Sequence, residues 1–273
     1  MLEEAPPPAR IPVAQVTVGA YRFVFHHLGL FADLAWLPFL ILLAASITPA
    51  WLPLVMPEGA TENVILEALP DFGQLVIGAF CLNAFTVRWN QAILFSSRAE
   101  ALEQPWRKPW LRFLLYTLCF YLANLAGLGL IGLVATGFED SPAARLAPAI
   151  VGLALVLPIW LGAARLSLLF PAAAAGQPLG LKGAWRALRG NTWRLIACGF
   201  LACAPLLLVV VLIMGAVVAV LRLQSGEQVL DDPPMGLFLI QGVVGTLADF
   251  IIAAFGASIL ADVYKRLVRA LET

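Results

Sequence analysis

Long apolar runs separated by short polar turns dominate the pattern of this chain. Six runs reach the roughly 20 consecutive residues that a helix needs to cross a bilayer. They lie at about 29–53, 72–95, 111–136, 147–170, 193–221 and 237–262. We therefore predict an all-α membrane protein with six transmembrane helices.

Two shorter segments have the pattern of amphipathic helices that lie at a membrane surface. Residues 13–28 are half apolar and lead into the first run, so we predict an interfacial helix there. In residues 181–189, one helical face is formed by Leu181, Ala184, Trp185 and Leu188. The adjacent face is basic and is formed by Lys182, Arg186 and Arg189. A basic face beside a Trp/Leu face suits the boundary between headgroups and acyl chains, and Gly190 is placed to end the helix.

The N-terminal residues differ from the rest of the chain. Residues 1–12 carry a run of prolines, which blocks helix formation, and we predict a flexible tail there. Residues 13–273 are continuous in character, and we predict that they form a single transmembrane domain.

Composition agrees with a membrane protein. The chain is 61% hydrophobic and 12% charged, whereas soluble proteins average about 45–50% apolar and about 25% charged residues. A soluble fold of this size could not bury so much apolar surface. All four cysteines lie within apolar runs, so we interpret them as small buried hydrophobic residues.

The charges are segregated between turns, although the formal net charge is zero. Fifteen of the 17 Lys and Arg residues fall at the two chain ends and in or beside the turns after the second and fourth runs. The remaining turns, 54–71, 137–146 and 222–236, are mainly acidic. The positive-inside rule predicts that the basic side is cytoplasmic. We therefore expect a bacterial inner (plasma) membrane protein with both termini in the cytoplasm.

Membrane orientation accounts for these cations, so no nucleic-acid partner is predicted. Membrane lipid is the expected partner, in particular its anionic headgroups; a protein partner cannot be named from the sequence. The candidate lipid-surface contacts are Lys182, Trp185, Arg186, Arg189, Trp193 and Arg194.

Several polar residues lie in or near the apolar runs, where charges are costly and usually face the bundle. The candidate intramembrane network comprises Asp33, Asn83, Arg88, Asn124, Arg165, Asp249 and Asp262. Two alternatives apply to Arg88 and Arg165, which either snorkel to the headgroups or pair with Asp33 or Asp262.

Asp249 lies near the middle of the sixth run. It shares a helical face with the small residues Gly245, Ala253 and Ala257, and small residues let membrane helices approach closely. We expect this face, including Asp249, to point into the bundle against Ala123 and Gly127 of the third run.

The segment from Arg165 to Leu195 resembles a known bacterial membrane domain. The residues that carry the resemblance are Leu169-Phe170-Pro171, Ala184-Trp185, Leu188-Arg189-Gly190 and Trp193-Arg194. The domain precedes the catalytic barrel in some glycerophosphoryl diester phosphodiesterases, and it also occurs alone in small membrane proteins of unassigned function. Relatives often carry an acidic residue soon after the proline, whereas residues 172–176 have none. The resemblance implies a six-span membrane domain without the phosphodiesterase active site.

The sequence provides no argument for catalysis, a cofactor or a metal. HExxH, GxSxG and P-loop motifs do not occur, and the two histidines are adjacent. We expect a non-enzymatic accessory or scaffold protein of the bilayer. The alternatives are a transporter or channel for a small solute, and a membrane component of a lipid-handling enzyme whose catalytic domain is on another chain.

Overall fold

The computed structural model describes residues 10–55, 64–95, 107–136, 147–177, 179–225 and 235–268. Within these ranges the chain forms nine α-helices. They are α1 (Val13–His26), α2 (Leu28–Val55), α3 (Val64–Phe95), α4 (Arg107–Thr136), α5 (Ala147–Leu166), α6 (Leu169–Ala174), α7 (Leu181–Ala187), α8 (Thr192–Ser225) and α9 (Met235–Leu267). The prediction of an all-α fold is confirmed for this part of the chain.

Five helical segments in the described ranges are long and apolar enough to cross a membrane, and they lie in α2, α4, α5 with α6, α8 and α9. The second predicted run lies in α3, which has 32 residues and is therefore about 48 Å long. Its length suffices for a span, but Gln74, Asn83, Arg88, Asn90 and Gln91 lower its hydropathy. The count of six spans thus stays a prediction.

Helix α9 is the centre of the bundle and packs on α1, α2, α3, α6 and α8. Its contact with α2 is close at Gly242, where an added Cβ would lie 3.1 Å from Cγ2 of Ile47. Small residues continue this buried side of α9 at Ala254, Ala257 and Ala261. Close packing of small residues is the usual way in which membrane helices associate.

The most completely buried residues gather at one end of the bundle. This end, which we call the basic end, comprises α1, α6, α7, the C-terminal parts of α3 and α9, and the N-terminal part of α8. Its centre is aromatic: the ring centroids of Trp89 and Phe85 lie 5.6 Å apart, and those of Phe85 and Phe250 lie 5.2 Å apart. Exposed cations surround it at Arg22, Lys182, Arg186, Arg189 and Arg266.

Helix α1 is an integral part of this end. Its residues Val16, Ala20 and Val24 are buried against α8 and α9. The Tyr21 hydroxyl donates a hydrogen bond to the Ala202 carbonyl at 2.8 Å. Burial, and to a smaller extent the neighbouring Cys203, raises the pKa of the Tyr21 phenol.

The prediction of a flexible tail over residues 1–12 is wrong at its C-terminal end. Ile11 is 1% exposed, its N–H donates to Oδ1 of Asn191 at 3.1 Å, and its carbonyl accepts from Arg194 at 3.0 Å. Apolar burial and two hydrogen bonds therefore fix the chain just before α1. Residues 1–9 lie outside the described part of the chain.

The expected orientation of Asp249 is also wrong, because its side chain is exposed. The buried residues of α9 include Thr246, Phe250 and Ala254, each one position after a residue of the predicted stripe, and of the stripe itself only Ala257 is buried. One residue corresponds to about 100° around a helix, which is enough to turn Asp249 out of the core.

The predicted packing partner for that stripe differs as well. A Cβ added to Gly127 of α4 would lie 3.0 Å from Cδ1 of Ile159, so Gly127 allows a close approach of α5. Ala123 is exposed. Of these two small residues, only Gly127 therefore serves the contact between α4 and α5.

Candidate functional site

The segment from Arg165 to Leu195 folds as two short helices between two long ones. Gly176 ends α6 at φ 73°, and the Gln177 N–H donates back to the Ala172 carbonyl at 3.1 Å. This is the left-handed helix ending that glycine favours. Gly190 has φ 82°, the left-handed conformation that glycine favours, and it lies three residues after the end of α7 at Ala187.

Helix α7 is two residues shorter than the predicted 181–189, and its apolar face is divided. Ala184 and Leu188 are fully buried in the protein. Leu181 and Trp185, which were predicted on the same face, are 62% and 44% exposed. The basic residues Lys182 and Arg186 are exposed as expected. One side of α7 therefore anchors it, and the other presents Leu, Trp, Lys and Arg at the surface.

Arg165 at the end of α5 fixes the position of Trp185. The guanidinium carbon lies 4.5 Å from the centroid of the indole ring, and Nε donates to Oγ1 of Thr192 at 3.2 Å. A cation over a Trp face contributes about 0.5–1 kcal/mol at an exposed site. Arg165 thus connects α5, α7 and the start of α8. Its contacts within the described ranges include no acidic side chain, so of the two alternatives for Arg165 the pairing with Asp33 or Asp262 is not seen there.

A small open cavity lies beside this stack. Its volume is about 480 Å³, and it is lined by Leu166, Leu181, Lys182, Trp185 and Arg186. The two cations lie one turn apart on the same side of α7. Such a cavity presents positive charge and an indole ring to whatever occupies it.

A larger apolar groove adjoins this cavity between α4 and α5. Its volume is about 770 Å³, and Leu166 and Leu181 line both spaces. Its walls come from Leu115, Phe120 and Ala123 of α4, and from Pro158, Ile159 and Gly162 of α5. The sequence did not reveal this groove, since it depends on which faces of α4 and α5 stay apart.

The other candidate lipid contacts divide into exposed and packed residues. Arg189 and Trp193 are exposed, and Trp193 is 65% exposed. Arg194 is partly buried and bonds to the Ile11 carbonyl. Arg194 therefore holds the N-terminal segment, in addition to any role at a lipid surface.

The candidate intramembrane network is brought together only in part. Asp262 forms an ion pair with Arg266, one turn further along α9, at 3.1 Å. The pair therefore lies within a single helix, at its surface. Arg88 donates to Gln91 at 3.3 Å, and Oδ1 of Asn83 accepts from Thr117 at 2.8 Å. The pairing of Arg88 with Asp33, whose side chain is exposed, stays a prediction. The side chain of Asn124 lies outside the described part of the structure.

Buried polar contacts at the basic end were missed by the sequence reasoning. Nε1 of Trp89 donates to the Ala254 carbonyl at 3.1 Å and to Oγ of Ser258 at 3.0 Å. The Tyr264 hydroxyl donates to Oε1 of Gln177 at 2.8 Å. These bonds join segments more than 80 residues apart. Their only sequence signal was the density of polar residues around Trp89.

The thiols and imidazoles are dispersed. Cys81 and Cys198 are buried and Cys203 is half-buried, but Cys119 is exposed, so the interpretation of all four cysteines as buried residues is wrong for Cys119. It lines the apolar groove. Nδ1 of His26 and of His27 each bonds a carbonyl four residues earlier in the chain. Among the described residues, no group of three His, Cys, Asp or Glu side chains is placed to hold a metal ion.

The described helices define the class of this protein. Five apolar segments of sufficient length, with apolar residues exposed along much of their surface, are the features of a multi-pass membrane protein. No family model, curated protein or solved structure matches the chain. The resemblance of the segment from Arg165 to Leu195 therefore remains a resemblance of motifs.

Proposed function

We propose that this chain is a six-span accessory or scaffold protein of the bacterial inner membrane, with the basic end in the cytoplasm. In this proposal α3 also crosses the membrane, which raises the number of spans from five to six, and α1 and α7 lie at the cytoplasmic interface. The protein works without an active site of its own, as does the membrane domain that the segment from Arg165 to Leu195 resembles.

One observation carries this proposal: exposed cations and exposed indole rings occur together at the basic end. Lys182, Arg186 and Arg189 are exposed beside Trp185 and Trp193. Trp prefers the headgroup level of a membrane, and each Lys or Arg near an anionic leaflet contributes about 1 kcal/mol of attraction. The cytoplasmic leaflet carries the negative surface potential that these residues match.

Cysteine labelling of intact cells tests the orientation. Glu62→Cys, Glu139→Cys and Asp231→Cys are each expected to react with a membrane-impermeant maleimide added outside. Arg22→Cys on α1 is the control, and it is expected to react only after the inner membrane is permeabilised. Labelling of Arg22→Cys in intact cells, or protection of any of the three other sites, contradicts the proposed orientation.

A further inference from the structure

We propose that the groove between α4 and α5 binds one acyl chain of an anionic phospholipid, whose phosphate lies against Lys182 and Arg186. This inference rests on the proposed function, because it requires the basic end to lie at headgroup level. It goes beyond general contact with a bilayer, since it assigns a single lipid to a defined position.

The first argument is the dimension of the groove. Its lining runs from Leu115 to Ala123 on α4 and from Pro158 to Leu166 on α5. Eight residues of helix correspond to about 12 Å. One leaflet of the hydrocarbon core is about 15 Å thick, so the groove follows most of the depth of a leaflet. Its volume of about 770 Å³ lies within the range of small-molecule sites, which is about 300–1,000 Å³.

The second argument is chemical continuity from apolar to cationic. The described residues that line the groove are Leu, Ile, Phe, Ala, Pro and Gly, with Tyr116 and Cys119 as the polar side chains among them. At the basic end it meets the cavity of Lys182 and Arg186 through Leu166 and Leu181. An occupant that satisfies both parts has a long apolar tail and an anionic head.

The third argument is charge complementarity. Among the described residues that line the two cavities, Lys182 and Arg186 are cationic and none is acidic. Arginine binds phosphate through two parallel N–H donors, and lysine adds a compact charge. Trp185, which Arg165 holds in place, lines the same cavity as the two cations. A zwitterionic lipid would bring its own cation to the same place, so the site favours a lipid with net negative charge.

Gly162 offers a direct test of the groove. It lines the space, and a Cβ added there has nothing within 4 Å, so a leucine would fill the groove without moving the backbone. Leucine is also a better helix former than glycine. Gly199→Leu is the matched control, because Gly199 lies in membrane helix α8, away from the groove, and also has no neighbour within 4 Å.

Arg186 offers the corresponding test of the head site. Arg186→Gln removes a charge that lines the cavity, whereas Arg189→Gln removes an exposed charge of the same turn that does not line it. Both variants reduce the general attraction to an anionic surface equally. A difference between them therefore reports the defined site.

The experiment is native mass spectrometry of the purified chain titrated in detergent with dioleoyl phosphatidylglycerol or dioleoyl phosphatidylcholine. The wild type is expected to retain one phosphatidylglycerol with at least fivefold higher affinity than phosphatidylcholine. Gly162→Leu and Arg186→Gln should each weaken that binding at least fivefold, while Gly199→Leu and Arg189→Gln stay within twofold.

Several outcomes overturn the proposal. Equal retention of the two lipids refutes the head site, and unchanged binding by Gly162→Leu refutes the groove. A wild type that shows the labelled topology above but retains no phosphatidylglycerol refutes the lipid site while the proposed function stands. A reversed topology refutes the proposed function itself.

Discussion

Single buried polar side chains hold the basic end together. Trp89 is 0% exposed, and its indole N–H reaches both a carbonyl and a hydroxyl of α9. Gln91 is equally buried, and its amide donates to the Ala174 carbonyl at 3.3 Å. A buried donor that loses its partner costs about 1–3 kcal/mol, so each of these bonds matters more than a surface contact.

Trp89→Phe tests how much these buried hydrogen bonds contribute to stability. The change removes the N–H and part of the ring, so the free energy of unfolding in detergent should fall by about 2–4 kcal/mol from cavity formation and lost hydrogen bonds. Trp193→Phe is the control, because Trp193 is 65% exposed, and it should change stability by less than about 0.5 kcal/mol. Equal effects of the two variants would contradict the described core.

At the scale of the helix, close approach at glycine sets the contact between α2 and α9. A Cβ at Gly242 would meet Cγ2 of Ile47 at 3.1 Å and Cδ1 of Leu43 at 3.6 Å. The same helix has Gly245 three residues later, and a Cβ there has nothing within 4 Å. Both glycines therefore lie in the same helix, but only Gly242 is in close contact with α2.

Gly242→Leu should force α2 and α9 apart and lower the free energy of unfolding by about 1–3 kcal/mol. Gly245→Leu in the same helix should be neutral or slightly stabilising, because it only improves helix propensity. Denaturant titration of both variants in the same detergent measures the difference. If Gly245→Leu proved the more damaging, the face of α9 assigned to the core would be wrong.

These helices also show what the sequence could predict. Apolar runs, helix-ending glycines and the amphipathic pattern of residues 181–189 depend on residues that are close in sequence. The structure has helices at the six predicted runs and at residues 181–187. The orientation of α9 was not predictable in the same way. Gly245 and Ala253 form as plausible a small stripe as Gly242 and Ala254, and the choice depends on α2, which is distant in sequence.

At the scale of the whole molecule, the N-terminal segment and α8 close the basic end. Ile11 and Asn191 are 180 residues apart, yet the N–H of one donates to the side chain of the other. No local pattern signals such a bond. The tail was predicted from its prolines, and the proline rule says nothing about the burial of the Ile11 that follows them.

Asn191→Ala should free the N-terminal segment from the start of α8. Loss of the acceptor leaves the Ile11 N–H buried and unpaired, so the segment before α1 should detach and trypsin should cleave faster after Arg10, which is exposed. Arg189→Ala changes an exposed residue of the same turn and should leave the cleavage rate as in the wild type. Peptide mapping over a digestion time course gives both rates. An unchanged rate in Asn191→Ala would show that the bond does not hold the segment.

The bond between the start of the chain and α8 also has a consequence in time. Arg194 lies 183 residues after Ile11, and ribosomes add about 5–20 residues per second, so the partner of Ile11 is made roughly 10 to 40 seconds later. During that interval α1 has been synthesised while its binding surface on α8 and α9 has not. The apolar side of α1 must therefore be sheltered at the membrane surface until the last two long helices are inserted, which makes its docking one of the final steps of biogenesis.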